Sequence, residues 1–175
     1  MNIRVATMAD VPTLNALIAT SVRQLSVGYY SPAQIDAALQ GIFGVDTQLI
    51  ADETYYVIDG GGGPAAAGGW SGRGTLYGGD QTKGPVDRRL DPASEPARIR
   101  AFFVHPTYAR RGLARKLYGV CEQTAVANGF HRFELMATLP GEPLYRALGF
   151  TVVERLLLPL GDLELPFARM ARDIP

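Results

Sequence analysis

The sequence predicts a mixed α/β fold: a sheet of about seven strands flanked by about four helices, in one domain spanning residues 1–175. Three observations carry this. Hydrophobic periodicity alternates between strand and helix spacing in the order β-α-α-β-β-β-α-β-α-β-β, which suits a sheet covered by helices. A strand, a basic loop and a helix follow one another in A-F-F-V-H-P-T-Y-A-R-R-G-L-A-R-K-L, from Ala101 to Leu117. Of the 175 residues, 47% are hydrophobic, enough for one core in a chain short for two domains.

Ile3 to Ala6 reads as a short strand. Asp10 then caps a helix whose apolar residues Val11, Leu14, Leu17, Ile18, Val22 and Leu25 recur at helical spacing, with Pro12 in the first turn. Ser31-Pro32 is an N-cap followed by proline at the first helical position, and Ile35, Ala38, Leu39 and Ile42 stripe the second helix. Thr54 to Ile58 is β-branched and aromatic. The run Asp59-Gly60-Gly61-Gly62-Gly63 supplies a turn before Pro64 to Trp70 returns as a hairpin. No Lys-Ser/Thr and no helix follow the glycines, so they read as a turn and not as a phosphate loop.

Ser71 to Pro96 is rich in glycine, proline and charge and holds neither period. A loop of this length is usually functional or disordered. Ala97 to Val104 is the central strand, and the helix from Arg110 onward places Leu113, Leu117, Val120, Cys121 and Thr124 on one face. Asn128-Gly129 ends it. Phe133 to Met136 is the next strand, Glu142 to Leu148 a short helix stopped by Gly149-Phe150, and Val152 to Leu157 and Leu163 to Ala171 the closing strands.

Composition excludes several classes. With 17 Lys and Arg against 17 Asp and Glu, no global field attracts nucleic acid. A single cysteine allows no intrachain disulfide, and two histidines without ligand spacing give no metal site. No segment approaches the ~20 apolar residues that span a bilayer, and the polar start after Met1 is unlike a signal peptide. The expectation is a soluble cytoplasmic protein without membrane, metal or nucleic-acid partners.

The positive charge is concentrated at one helix start. First-turn amides have no partner inside the helix, and the peptide dipoles add partial positive charge there. Gly112 admits a ligand to the backbone, small Ala114 keeps that face open, and Arg110, Arg111, Arg115 and Lys116 surround it. Residue chemistry leaves two readings: a site for a phosphate-bearing ligand, or a helix start whose charges face water.

The run V-H-P-T-Y-A-R-R-G-L-A resembles V-x-P-x-x-(Q/R)-x-x-G-x-(G/A), the acyl-CoA pyrophosphate signature of the GNAT superfamily of N-acetyltransferases. Val104, Pro106, Gly112 and Ala114 match in spacing, while Ala109 takes the Gln/Arg position. Downstream, P-L-Y-R-A-L-G-F from Pro143 to Phe150 resembles the family's later helix with its tyrosine and terminal Gly-Phe. The resemblance implies a central sheet splayed between its fourth and fifth strands and acetyl-CoA as co-substrate. The pantetheine would meet backbone groups of Phe102, Phe103 and Val104. The pyrophosphate would lie on amides of Arg110, Arg111, Gly112, Leu113, Ala114 and Arg115.

It further implies acetyl transfer to the amine of a small molecule or peptide by direct attack in a ternary complex, with Tyr145 as the acid for the departing thiolate. At helical spacing with Leu144 and Leu148, Tyr145 also suits packing alone. The family often carries a glutamate near the start of the fourth strand, where this chain reads A-R-I-R. Glu95, Asp80, Glu142, His105 or a water relay are then the candidate bases. The helices at the start of the chain and the third and fourth strands border the acceptor side in the family. Tyr29, Tyr30, Trp70, Arg73, Tyr77 and Asp80 are therefore the candidate acceptor residues, and Ser71 to Pro96 is either an acceptor-side loop or a neutral insertion. A homodimer is compatible with this reading. The alternative function is a catalytically silent acyl-CoA-binding sensor or partner module.

Overall fold

A computed structural model describes all residues from Met1 to Pro175. The elements are β1 (Ile3–Val5), α1 (Val11–Leu25), α2 (Pro32–Gly41), α3 (Thr47–Ala51), β2 (Tyr55–Gly60) and β3 (Gly63–Ser71). They continue with β4 (Ala97–Val104), α4 (Leu113–Ala127), β5 (Arg132–Thr138), α5 (Glu142–Ala147), β6 (Thr151–Leu160) and β7 (Leu163–Asp173). One seven-stranded sheet runs β1-β2-β3-β4-β5-β7-β6. Only β4 and β5 pair in parallel, α4 being the crossover between them.

Local chemistry accounts for most boundaries. Ser31 caps α2 by accepting from the Gln34 N–H, and the Gln34 side chain returns the bond to the Ser31 N–H. Asp10 precedes α1, yet its carboxylate turns back to the Thr7 N–H at 2.7 Å and to Arg4 at 2.8 Å and does not cap the helix. Helix α3 was not expected from the pattern; five residues are too few to show a period, and the Asp46 carboxylate starts it by accepting from the Gln48 N–H. Helix α4 begins at Leu113, not Arg110, because Arg110 and Gly112 both take positive φ, 61° and 79°. Its buried stripe is Leu113, Leu117, Tyr118, Cys121 and Ala125, with Val120 and Thr124 only half-buried at its margin.

The core forms two layers, one on each face of the sheet. Alternation sends Tyr56 and Ile58 of β2 to the layer under α4 and α5, and Tyr55 and Val57 to the layer under α1, α2 and α3. Cys121 lies wholly buried in the first layer, where burial pushes its thiol pKa up, so it is a small core side chain without nucleophilic character.

The sheet splits in its middle. β4 and β5 pair only at Ala97 with Phe133 and Arg98 with Glu134, and beyond Arg98 the β5 side of β4 has no ladder partner. A bulge bends β4 away: its register with β3 slips between Ala67 and Gly69, and Ala101 is held at φ 54°. The buried Tyr55 hydroxyl donates to the Ala101 carbonyl at 2.9 Å and holds the bulge from below. Gly68 opposite it must lack a side chain, because a Cβ there would collide with the Phe102 ring.

Residues 71–96 form an ordered strap. Arg73 bridges to Arg89 and donates to Asp52 at 2.7 Å, Lys83 reaches Asp46 at 2.9 Å and Asp87 at 2.7 Å, and Leu90 is buried in the core. The buried Arg100 guanidinium, on the face of β4 opposite Ile99, donates to Asp46 and to the carbonyls of Thr75 and Gly78. No helix is long and apolar enough to cross a membrane.

Candidate active site

Where β4 and β5 part, a cavity of ≈ 760 Å³ passes through the sheet. Its lining runs from the loop before α4, past the free edges of β4 and β5, to the C-terminal half of α1 and the turns at 42–44 and 76–78.

The loop end is built for an anion. His105 Nδ1 accepts from the Thr107 N–H and caps a short 3-10 turn, after which Arg110 and Gly112 take left-handed conformations. Left-handed residues next to right-handed ones turn neighbouring backbone N–H groups to one side. Gly112 is the N-cap of α4 and no side chain caps the helix, so its first-turn amides are left for a ligand. A non-glycine residue held at positive φ costs energy, and Arg110 sits where that strain serves the concavity. Arg110 and Arg115 line the cavity; Arg111 does not, its guanidinium lying 5.4 Å over the Tyr108 ring. The Tyr108 hydroxyl accepts from the Gly61 N–H at 3.2 Å, which ties the glycine turn to this loop.

These residues fit acetyl-CoA. An uncapped helix start flanked by arginines suits a pyrophosphate, and the unpaired backbone of β4 along the split suits an extended amide-bearing arm. Leu113, Ala114, Phe102, Phe103 and Val104 line the same cavity. Replacing Gly112 with Asp puts a negative side chain at the left-handed cap, and acetyl-CoA affinity is expected to fall by about 10²-fold, the order of two to three unit charges opposed at close range in partly screened solvent. Calorimetry on a folded variant with unchanged affinity would refute the loop assignment.

Tyr145 on α5 faces the same cavity. Its ring packs against Phe102 and Phe150 at centroid distances of 6.3 and 5.8 Å, and the residue is 9% exposed. The hydroxyls of the other buried tyrosines are bonded within the chain: Tyr30 donates to the Pro166 carbonyl, Tyr55 to the Ala101 carbonyl and Tyr56 to the Thr124 hydroxyl, and Tyr118 accepts from Arg172. The Tyr145 hydroxyl has no such bond, and burial pushes its pKa above the usual phenol value, so it holds its proton at neutral pH.

Of the six candidate acceptor residues, the structure brings Tyr29 and Tyr77 to the cavity. The other four are held elsewhere. Tyr30 is buried, its hydroxyl bridging the Pro166 carbonyl and the Leu139 N–H. Strand alternation turns Trp70 into the α4-side core against Phe130, Arg73 is clamped to Asp52, and Asp80 accepts from the Thr47 N–H and hydroxyl. The candidate bases are likewise engaged: Glu95 with Arg88, Glu142 with Arg146 and Arg155, and His105 as a cap. No Asp, Glu, His or Lys lines the cavity.

Sequence reasoning missed Phe43, Met136 and Phe167, which line the α1–α2 side, and Arg100 with Asp46, which hold its wall. The alternation in A-R-I-R, which sets Arg98 and Arg100 opposite Ala97 and Ile99, was the one available signal for a buried arginine.

The sheet splits between its one parallel strand pair, with an uncapped helix start at one end of the split and Tyr145 on the cavity lining. The sequence model of the Acetyltransferase (GNAT) family matches residues 37–150, and the chain belongs to that family. No curated protein sequence matches it.

Solved structures repeat the fold. A GCN5-related N-acetyltransferase from Rhodopseudomonas palustris superposes with a TM-score of 0.71 at 18% identity, over 99% of this chain and 95% of that one. The PaiA N-acetyltransferase of Thermoplasma acidophilum, in complex with coenzyme A, gives 0.64 at 13% identity over 98% of each chain. yncA of Salmonella typhimurium, with its cofactor acetyl-CoA, gives 0.63 at 18% identity over 100% of this chain and 94% of that one. At these identities the likeness shows the fold alone.

Proposed function

We propose that this chain transfers an acetyl group from acetyl-CoA to a primary amine by direct attack in a ternary complex. The observation that supports it most is the unbonded Tyr145 hydroxyl, set in the split between the anion-binding loop and the far chamber. Acetyl-CoA supplies an acyl group already activated as a thioester. The chain's residues do the rest. Amides at the start of α4, with Arg110 and Arg115, hold the phosphates, and the unpaired backbone of β4 beyond Arg98 orients the arm and polarises the acyl carbonyl.

An amine of pKa ~10 is almost wholly protonated at neutral pH and must lose a proton to attack. With no carboxylate or imidazole on the lining, that proton leaves through water in the cavity. The C–N bond forms as the C–S bond breaks, Tyr145 gives its proton to the departing sulfur, and solvent restores the phenol. The lack of a lining base equally favours a second reading, an acyl-CoA-binding module without transfer. A thiol-release assay with acetyl-CoA against a panel of amines separates them. Release above background hydrolysis with at least one amine is expected, whereas acetyl-CoA binding by calorimetry with no release from any amine would leave the binding module.

A further inference from the structure

The half of the cavity on the α1–α2 side is a chamber of rings without free charge. Tyr29, Phe43, Tyr77, Phe103, Met136 and Phe167 line it. Phe43 sets its edge toward Phe103 and Phe167, with centroids 6.0 and 6.4 Å away at 77° and 65°, and Tyr77 stacks near Phe167 at 6.5 Å and 26°. The only charged side chain there is Arg100, and it is spent within the protein: its donors reach Asp46 at 3.0 Å, the Thr75 carbonyl at 3.3 Å and the Gly78 carbonyl at 2.6 Å. Asp46 is in turn taken by Arg100 and Lys83, so neither sign of charge is left to meet a ligand. The remaining arginines of the cavity, Arg110 and Arg115, belong to the loop at its other end.

We infer that the acceptor is a monoamine carried on an aromatic, otherwise uncharged body, with the ring between these side chains and the amine directed to the split. The inference rests on the acetyl-transfer reading for the role of the amine, but the chamber's selectivity stands on its lining. A second ammonium, as in a polyamine, a lysine-rich peptide or an aminoglycoside, would be desolvated here without a counter-ion. A carboxylate, as in a free amino acid, would find no cation that is not already engaged. An aromatic body instead buries its area against ring faces and edges that favour aromatic partners.

The test uses three probes: 2-phenylethylamine, phenylalanine, which adds a carboxylate to the same body, and 1,4-diaminobutane, which replaces the ring by a second ammonium. Thiol release is measured for each, and calorimetry follows each into protein saturated with CoA. A kcat/KM for 2-phenylethylamine about 100-fold above either charged probe is expected, in keeping with an uncompensated charge in an apolar site. Tyr77→Asp, at a rim position 36% exposed, should narrow the gap to 1,4-diaminobutane by about tenfold by supplying the missing counter-ion. Equal or better turnover of 1,4-diaminobutane or phenylalanine by the unaltered protein would overturn the inference and leave acetyl transfer intact. Selective calorimetric binding of 2-phenylethylamine with no release from any amine would uphold the chamber and sink the transfer reading. No binding and no turnover of 2-phenylethylamine would overturn the chamber.

Discussion

Replacing Tyr145 with Phe lowers turnover by about 10²–10⁴-fold, the usual contribution of a general acid, while stability and acetyl-CoA affinity stay near their starting values. The separation follows from the site. The ring provides the contacts with Phe102 and Phe150, and Phe keeps it. Because the hydroxyl makes no bond inside the chain, its removal orphans no partner, unlike the same change at Tyr55, which would strip the Ala101 carbonyl of its donor. The measurement is kcat on an acceptor for which chemistry limits the rate, with thermal denaturation and CoA calorimetry on the same variant. A turnover within about twofold of the unaltered enzyme, well under the acid–base range, would make Tyr145 a packing residue and assign thiolate protonation to water.

Asp46→Ala is expected to cost about 3–5 kcal/mol of folding stability, the range for removing one partner of a buried ion pair. Asp46 and Arg100 are 1% and 2% exposed, and truncating the carboxylate leaves the guanidinium buried with only carbonyls to face. It also removes the N-cap of α3 and one of the two carboxylates that hold Lys83. Urea denaturation checks the size, with Arg23→Ala as the control, since the exposed Arg23–Asp36 pair should contribute under about 1 kcal/mol. Asp46→Leu combined with Arg100→Met should recover much of the loss, because an apolar pair leaves no charge stranded. A loss under about 1 kcal/mol for Asp46→Ala would mean that water enters the pair and that it does not brace the strap. Acceptor selectivity should loosen as well, since Arg100 fixes the carbonyls of Thr75 and Gly78 on either side of Tyr77.

Short-range chemistry accounts for what can be read along the chain. Ser31-Pro32 starts a helix, Asp59 to Gly63 make a turn, and Val104, Pro106 and Gly112 carry a strand into a helix start left uncapped. From such signals the seven strands were legible, and the family resemblance added the split and pointed to the tyrosine within the second motif. Arg111 was legible as a cation of that loop, but its turn onto Tyr108 was not. Periodicity also failed for α3, which is shorter than the window in which a helix shows itself.

The α1–α2 side of the cavity is set by long-range packing instead. Arg100 and Asp46 lie 54 residues apart, and nothing local marks either as the other's partner. The strap from 71 to 96 has no period, so its order comes from ion pairs and from Leu90 in a core built by other elements. Trp70 and Tyr30 looked like ligand residues because they are aromatic and lie, respectively, at the end of the third strand and in the connection between the first two helices. Which face a strand residue presents depends on register, and register is set by pairing across the sheet. The chamber itself is made by Phe43, Phe103 and Phe167, from three elements far apart in the chain, and the bulge at Ala101 opens it; convergence of this kind is decided by packing, which a local pattern does not encode.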